Sequence, residues 1–196
     1  MMGLTLPTSL EVDGELVEID SDFRTALLVM QMYNDRAISL QSKHGLMLSM
    51  IYSVVDDDGE IVSTLPKNVE EAANKAIWFL NIGMEEQDDV ETESKPRLID
   101  YEKDSQYLFS AVNNVLSREV RSDDYMHWWT FYGFCQSIDD SSLMSHIINI
   151  RSKRASGKKL EKDELEFYKS NKDIIDIEGG SMLNKSDTIS DMLRKS

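Results

Sequence analysis

Apolar residues recur along this chain mostly at helical spacing, and at strand spacing near its start. SLEVDGELVEI, residues 9–19, sets Val12, Leu16 and Ile19 around Asp13-Gly14. That dipeptide favours a type I′ turn, whose two central residues both need a positive φ, so a small N-terminal β-hairpin is predicted. Asp20 or Ser21 then stands ready to cap a helix with Phe23, Leu27 and Met30 on its inner stripe and Ala26 beside them. Met47, Met50, Ile51 and Val54 fall at i, i+3, i+4 and i+7, which predicts a second helix ahead of a DDDG turn at 56–59. Pro66 bars any helix before it, and Asn68 with Glu71 three residues on resembles a capping box. The third helix that follows has a stripe of Val69, Ala72, Ala73, Ala76 and Leu80, widened by Trp78 and Phe79, with Gly83 as the residue just past its end.

The second half of the chain is helical in pattern throughout. DSQYLFSAVNNVLSREV, 104–120, repeats Leu108, Ala111, Val112, Val115 and Leu116 as a buried helix would. DDYMHWWTFYGF, 123–134, then packs six aromatic rings into twelve positions. Trp128, Tyr132 and Cys135 share one face, Tyr125, Trp129 and Gly133 another, and Phe131 and Phe134 flank Trp128. Rings over most of the circumference predict a helix surrounded by others, at the centre of the C-terminal core. SSLMSHIINIRSKR, with Leu143, Ile147 and Ile150, is a sixth helix, and residues 158–175 form a polar one with a thin stripe of Leu165 and Tyr168.

The fold class predicted is therefore mainly α, with a small N-terminal β-hairpin and two helical halves joined by an acidic linker. Residues 1–83 hold the hairpin and three helices, 84–97 the linker, and 98–175 the C-terminal helices with the aromatic core helix. Residues 176–196 are expected to be a flexible tail in which Ile189, Met192 and Leu193 form one amphipathic turn or two. EEQDDVETESK, 85–95, has six acids and one valine, too little apolar surface to offset its own ordering entropy.

Charge changes the picture more than composition does. With 41% apolar and 29% charged residues, three prolines and nine glycines, the chain is of ordinary globular make-up. Its formal charge of −15 opposes autonomous binding to nucleic acid or an anionic membrane. Residues 1–100 carry seven Lys/Arg against twenty Asp/Glu, and residues 101–196 carry fourteen against sixteen, so the repulsion sits almost wholly in the first half. RSKRASGKK, 151–159, is the opposite cluster, readable as a solvated interhelix loop or as a contact for an acidic partner. Its candidate partner-binding residues are Arg151, Lys153, Arg154, Lys158 and Lys159. No basic and apolar leader opens the chain and no apolar stretch is long enough to span a bilayer, which predicts a cytoplasmic protein.

Chemistry-bearing motifs are few. The sequence holds no phosphate-binding glycine loop, no GxSxG, no HExxH and no CxxC. A metal site would need His127, His146 and Asp123 or Asp124 to converge through the fold, against the simpler reading of polar tips on half-buried helices. DDDGE, 56–60, lacks the alternating ligands of a calcium loop and reads as a turn. Cys135, the one cysteine, reads as a small buried hydrophobe. No enzyme, cofactor or metal is indicated.

Several segments taken in order carry a family resemblance: SDFRTALLVMQMYND, EEAANKAIWFLNIG, DYEKDSQYLFSAVNNV, and above all HWWTFYGFCQSI followed by LMSHIINIRSKR. Over about residues 10–175 the chain resembles the "gene product fifteen" family of long-tailed phages of Gram-positive bacteria. Members are regarded as tail assembly chaperones. It departs from the family at Leu116-Ser117-Arg118-Glu119-Val120, where a Gly-Ile-Asp-Leu-like helix end is usual. The resemblance implies a non-enzymatic role in the host cytoplasm: binding the long helical tape-measure protein and tail-tube subunits, possible self-association, and absence from the mature virion. It also implies that Phe23, Arg24, Trp78, Trp128, Trp129 and Arg151 determine the fold. The methionines Met30, Met32, Met47, Met50 and Met84 suit adaptable grooves, although core filling explains them equally well. Two further classes are compatible with an acidic helical chain: a structural virion component such as a head–tail adaptor, and an acidic mimic of nucleic acid.

Overall fold

The computed structural model describes residues 5–84 and 97–177. The linker and tail assigned above to 84–97 and 176–196 therefore lie largely outside the described residues. The fold is mainly α, and it divides into two compact units. Of the described residues, the first unit takes 5–84 and 124–132, and the second takes 97–123 and 133–177.

The first unit begins with the expected hairpin, β1 (Ser9–Val12) against β2 (Glu15–Glu18). Asp13 and Gly14 both have positive φ, 52° and 79°, as a two-residue type I′ turn requires. Leu10 and Val12 face inward. Leu16 does not: it pairs with Glu11 on the outer face and is 75% exposed.

Helix α1 (Phe23–Asn34) is capped by Asp22, not by Asp20 or Ser21, and buries Phe23, Ala26, Val29 and Tyr33. Leu27 and Met30, expected inside, are only half-buried. The run ALLVM is apolar at five successive positions, so spacing alone leaves the inward angle open by one residue. Helix α2 (Leu40–Ile51) buries Met47, Leu48 and Ile51 and ends one turn early. Val54, expected on that helix, lies instead in β3 (Ser53–Val55), which pairs with β4 (Ile61–Ser63). β-branched neighbours in SVV favour extended chain over a further helical turn.

The DDDG turn closes this second hairpin. Asp56 Oδ1 accepts the Asp58 and Glu60 N–H groups at 3.0 and 2.9 Å. Gly59, at φ 83°, takes the left-handed position that a three-residue hairpin loop demands. Helix α3 (Val69–Leu80) starts where expected: the Asn68 side chain accepts the Glu71 N–H at 3.2 Å. Glu71 reaches back to the Asn68 side-chain amide and to the Asp13 N–H, which ties α3 to the first hairpin. Ala72, Ala76, Ile77, Phe79 and Leu80 are buried, whereas Val69 is exposed.

The second unit is built on α4 (Ser105–Leu116), which buries Leu108, Ala111 and Val112. It stops at Ser117, held at φ 55°, within the stretch that departs from the family pattern. A short 3-10 turn, Val120–Ser122, follows. Helix α5 (Trp128–Gln136) gives its last four residues to this unit. Helix α6 (Leu143–Ala155) is capped by Ser142 and buries Met144, Ile147, Ile150 and Arg151, while Leu143 is exposed.

The polar helix expected over 158–175 is two helices, α7 (Lys162–Ser170) and α8 (Lys172–Ile175). Asn171 divides them by turning its side-chain amide back onto the Phe167 carbonyl at 2.9 Å. Tyr168 packs inward as expected, but its companion is Phe167; Leu165 is 40% exposed. Ile147, Ile150 and Ile175 form the buried cluster, with Tyr107, Leu160, Phe167, Tyr168 and Ile174 against it.

Candidate interaction site

The aromatic stretch is tied into the first unit by its backbone. The Phe23 N–H donates to the Met126 carbonyl at 2.9 Å, and the Trp128 N–H donates to the Ser21 carbonyl at 2.8 Å. Asp22 serves both chains: Oδ1 accepts the Arg24 N–H and Oδ2 the Met126 N–H, at 2.8 and 3.1 Å. Arg24 closes on the same carboxylate and lies over the Phe23 ring, its guanidinium carbon 4.6 Å from the centroid. The start of α1 and the start of α5 therefore form one structure, although 104 residues separate them.

The rings then satisfy the end of α3. A helix leaves its last carbonyls without helical donors. Trp128 Nε1 donates to the Leu80 carbonyl at 3.0 Å and Trp129 Nε1 to the Phe79 carbonyl at 2.8 Å. Phe131 stacks on Phe23, centroids 4.3 Å apart and 9° from parallel, and Trp129 meets Trp78 edge-on at 5.4 Å. Gly83 passes beside both indoles at φ 72°, and a Cβ there would sit 2.8 Å from Trp129 Cη2. A left-handed backbone and this close approach both call for glycine.

His127 locks the arrangement. Its Nε2 lies 2.9 Å from the Pro7 carbonyl, and its Nδ1 accepts the Trp129 N–H at 3.0 Å. Nε2 is therefore the donor and the ring is neutral. Burial lowers its pKa, partly opposed by the bond to Pro7.

The expected placement of the aromatic helix at the centre of the C-terminal core is thus corrected. Asp124–Tyr132 belong to the first unit. Trp128 and Phe131 are buried, Trp129 and Tyr132 half-buried, and Tyr125 is 53% exposed with its hydroxyl 2.8 Å from Ser21 Oγ. Of the expected fold determinants, Phe23 is wholly buried and Trp78, Trp128 and Trp129 all join this ring cluster.

The basic cluster at 151–159 has mostly internal uses. Arg151 is 5% exposed and spends all five guanidinium N–H groups inside the second unit. Nε donates to the Ile175 carbonyl at 2.8 Å, and the terminal nitrogens donate to the Leu98 and Ile174 carbonyls and to both oxygens of Asp104. Asp104 has no exposed surface, and its Oδ2 also accepts the Asp100 N–H. Arg151 is accordingly not available to a partner.

Lys153 pairs with Glu164 at 2.5 Å, and that hydrogen bond is the first cause of the lowered Glu164 pKa. Arg154 pairs with Asp176 and lies over the Tyr168 ring, its guanidinium carbon 4.1 Å from the centroid. Residues 151–155 are the last turn of α6, not loop. Lys158 and Lys159 alone of the five stand exposed in the loop as expected. Sequence reasoning missed Asp104, Glu164 and Asp176 because nothing in local spacing links them to bases eleven to forty-seven residues away.

Other chemistry-bearing residues lie apart from these clusters. Cys135 is half-buried, and burial pushes its thiol up to about 12. His146 meets Phe167 edge-on at 4.6 Å. Among the described residues no three His, Cys, Asp or Glu side chains are grouped to hold a metal ion, and no helix is long and apolar enough to cross a membrane.

Among known families, the family model described as Bacteriophage Gp15 protein matches residues 3–177. No curated protein and no solved structure gives a significant match.

Proposed function

The chain belongs to the bacteriophage Gp15 protein family, and from that membership we propose that it is a tail assembly chaperone of a long-tailed phage, a binding protein and not an enzyme. Family membership makes it a phage protein of the structural or morphogenetic kind. The finer role is to hold the tape-measure protein and tail-tube subunits in the host cytoplasm while a long non-contractile tail is assembled, then to leave before the virion is complete.

The family match over 3–177 carries this reading, and the physical chemistry supports it. On this reading the partner is the long, helical, aggregation-prone tape-measure protein that the family resemblance implies. A binder with a formal charge of −15 keeps such a complex dispersed through mutual repulsion. Apolar side chains stand exposed on the first unit, including Leu16, Leu28, Leu46, Val55 and Ile61, and a binder must offer such surface. The second unit keeps most of its basic groups for itself, so acidic partners are not what it is built to hold.

Co-expression tests the reading. The tape-measure protein encoded by the same phage should shift from the insoluble to the soluble fraction when this chain is present, and the two should co-purify. An insoluble tape-measure protein at every expression ratio, with no complex recovered, would contradict it.

A further inference from the structure

The β3–β4 hairpin carries the two aliphatic side chains that, with Leu16, are the most exposed among the described residues. Of fourteen exposed large hydrophobics among the described residues, three, Val55, Ile61 and Val62, lie on its two strands. Val55 is 67% and Ile61 78% exposed, and the register sets them opposite each other across the two strands. Lone exposed aliphatics are ordinary, but a cross-strand pair on one face is a small continuous surface.

The hairpin also has open backbone. Among the described residues its sheet has two strands only. The Asp56 N–H bonds to the Glu60 carbonyl and the Thr64 N–H to the Tyr52 carbonyl. Alternation along an antiparallel ladder then turns the N–H and C=O groups of Ile61 and Ser63 outward. Strand β4 is exposed at all three positions, whereas β3 is half-buried at Ser53 and Val54. The β4 edge is the one a partner could reach.

Charge selects the partner. Asp56, Asp57, Asp58 and Glu60 form the turn, and between Lys43 and Lys67 the chain has no Lys or Arg. Such an edge repels nucleic acid, anionic membrane and a second copy of itself. Like charge is also a common means of keeping an edge strand unpaired, so any segment that does pair must bring the opposite sign.

We propose that the β4 edge docks an extended protein segment in which basic residues alternate with aliphatic ones, added to the hairpin as a third strand. The segment's aliphatic side chains pack beside Ile61 and extend the apolar face it shares with Val55, its bases meet the four carboxylates of the turn, and its backbone pairs with Ile61 and Ser63. This rests on the binding role above only in that both need a protein partner; it names where such a partner is gripped.

A ten-residue peptide of alternating Lys and Val, titrated into the full chain, tests the proposal against a Lys–Ser peptide of equal charge. Saturable binding is expected, with amide NMR shifts concentrated in Ser53–Ser63. The Lys–Ser peptide should bind roughly tenfold more weakly or worse. A V55K/I61K variant should lose the Lys–Val peptide by a similar factor with its fold retained by circular dichroism, since both side chains lie in solvent. No saturable binding, equal binding of the two peptides, or equal binding by the variant would overturn it. Co-expression keeps the two claims separate. A V55K/I61K chain that still solubilises the tape-measure protein removes this edge as its grip and leaves the chaperone role standing. Failure of the unaltered chain to solubilise it removes the role, while the peptide titration stands by itself.

Discussion

The two units solve the same problem with different chemistry. In the first, the end of a helix is satisfied by indole N–H groups, and a ring cluster of Phe23, Trp78, Phe79, Trp128, Trp129 and Phe131 surrounds it. In the second, one guanidinium gathers three carbonyls and a buried carboxylate from chain segments far apart in sequence. Aromatic packing tolerates an acidic surrounding, because it needs no counter-charge. That fits a first half that carries nearly all the negative charge and leaves apolar groups exposed. A charge-assisted centre holds its segments by geometry: the planar fork of Arg151 cannot be matched by lysine.

The largest expected effects lie at the two centres. Arg151→Met strips Asp104 of its buried partner and leaves three carbonyls without their donor. It should cost about 3–5 kcal/mol in urea unfolding, with the early loss of structure confined to 97–123 and 133–177. Trp128→Ala removes a buried ring and the Leu80 bond. It should cost about 3–5 kcal/mol, with hydrogen exchange rising first in 5–84 and 124–132. If either variant loosened both units equally, the contrast between them would be wrong.

A smaller effect is expected at Gly83→Ala, where a Cβ meets Trp129 and the backbone is left-handed. A loss of about 1–3 kcal/mol, with a change in tryptophan fluorescence, would sharpen the ring cluster's boundary; an unchanged midpoint would deny that the glycine is confined.

The smallest effect is in pH. His127 is neutral in the folded chain and its pKa is lowered, so the unfolded chain takes up the proton more readily. Its contribution is present in full above the unfolded value of about 6.5 and is lost as pH falls through the folded value. The gap in melting temperature between the unaltered chain and His127→Gln should therefore shrink between pH 7.5 and 5. A gap constant over that range would mean that His127 does not titrate within the ring cluster.

Much of this contrast could be read in the sequence, but not its placement. Helix starts at Asn68 and the hairpin at Asp13-Gly14 were legible because caps and turns are local chemistry. Ser142 and Asp22 act likewise, although Asp22 competes in sequence with Asp20 and Ser21 and is also bound by the distant Met126 N–H. The second hairpin was hidden because Val54 fits a helical stripe as well as a strand. The HWW stretch announced a core, yet which core depends on pairing between residues 21–23 and 126–128. RSKRASGKK read as one basic patch because charge runs are scored by neighbours along the chain. Arg151, Lys153 and Arg154 lie on the last turns of α6, where burial and distant acids divide their roles, and only Lys158 and Lys159 keep the loop character the run implied.

The role as an assembly factor is tested most directly by mass spectrometry of infected cells beside purified virions from the same culture. We expect the chain to be abundant in lysates while tails are being built and absent from finished particles. Recovery from virions in fixed stoichiometry with tail proteins would make it a structural component and contradict the chaperone reading.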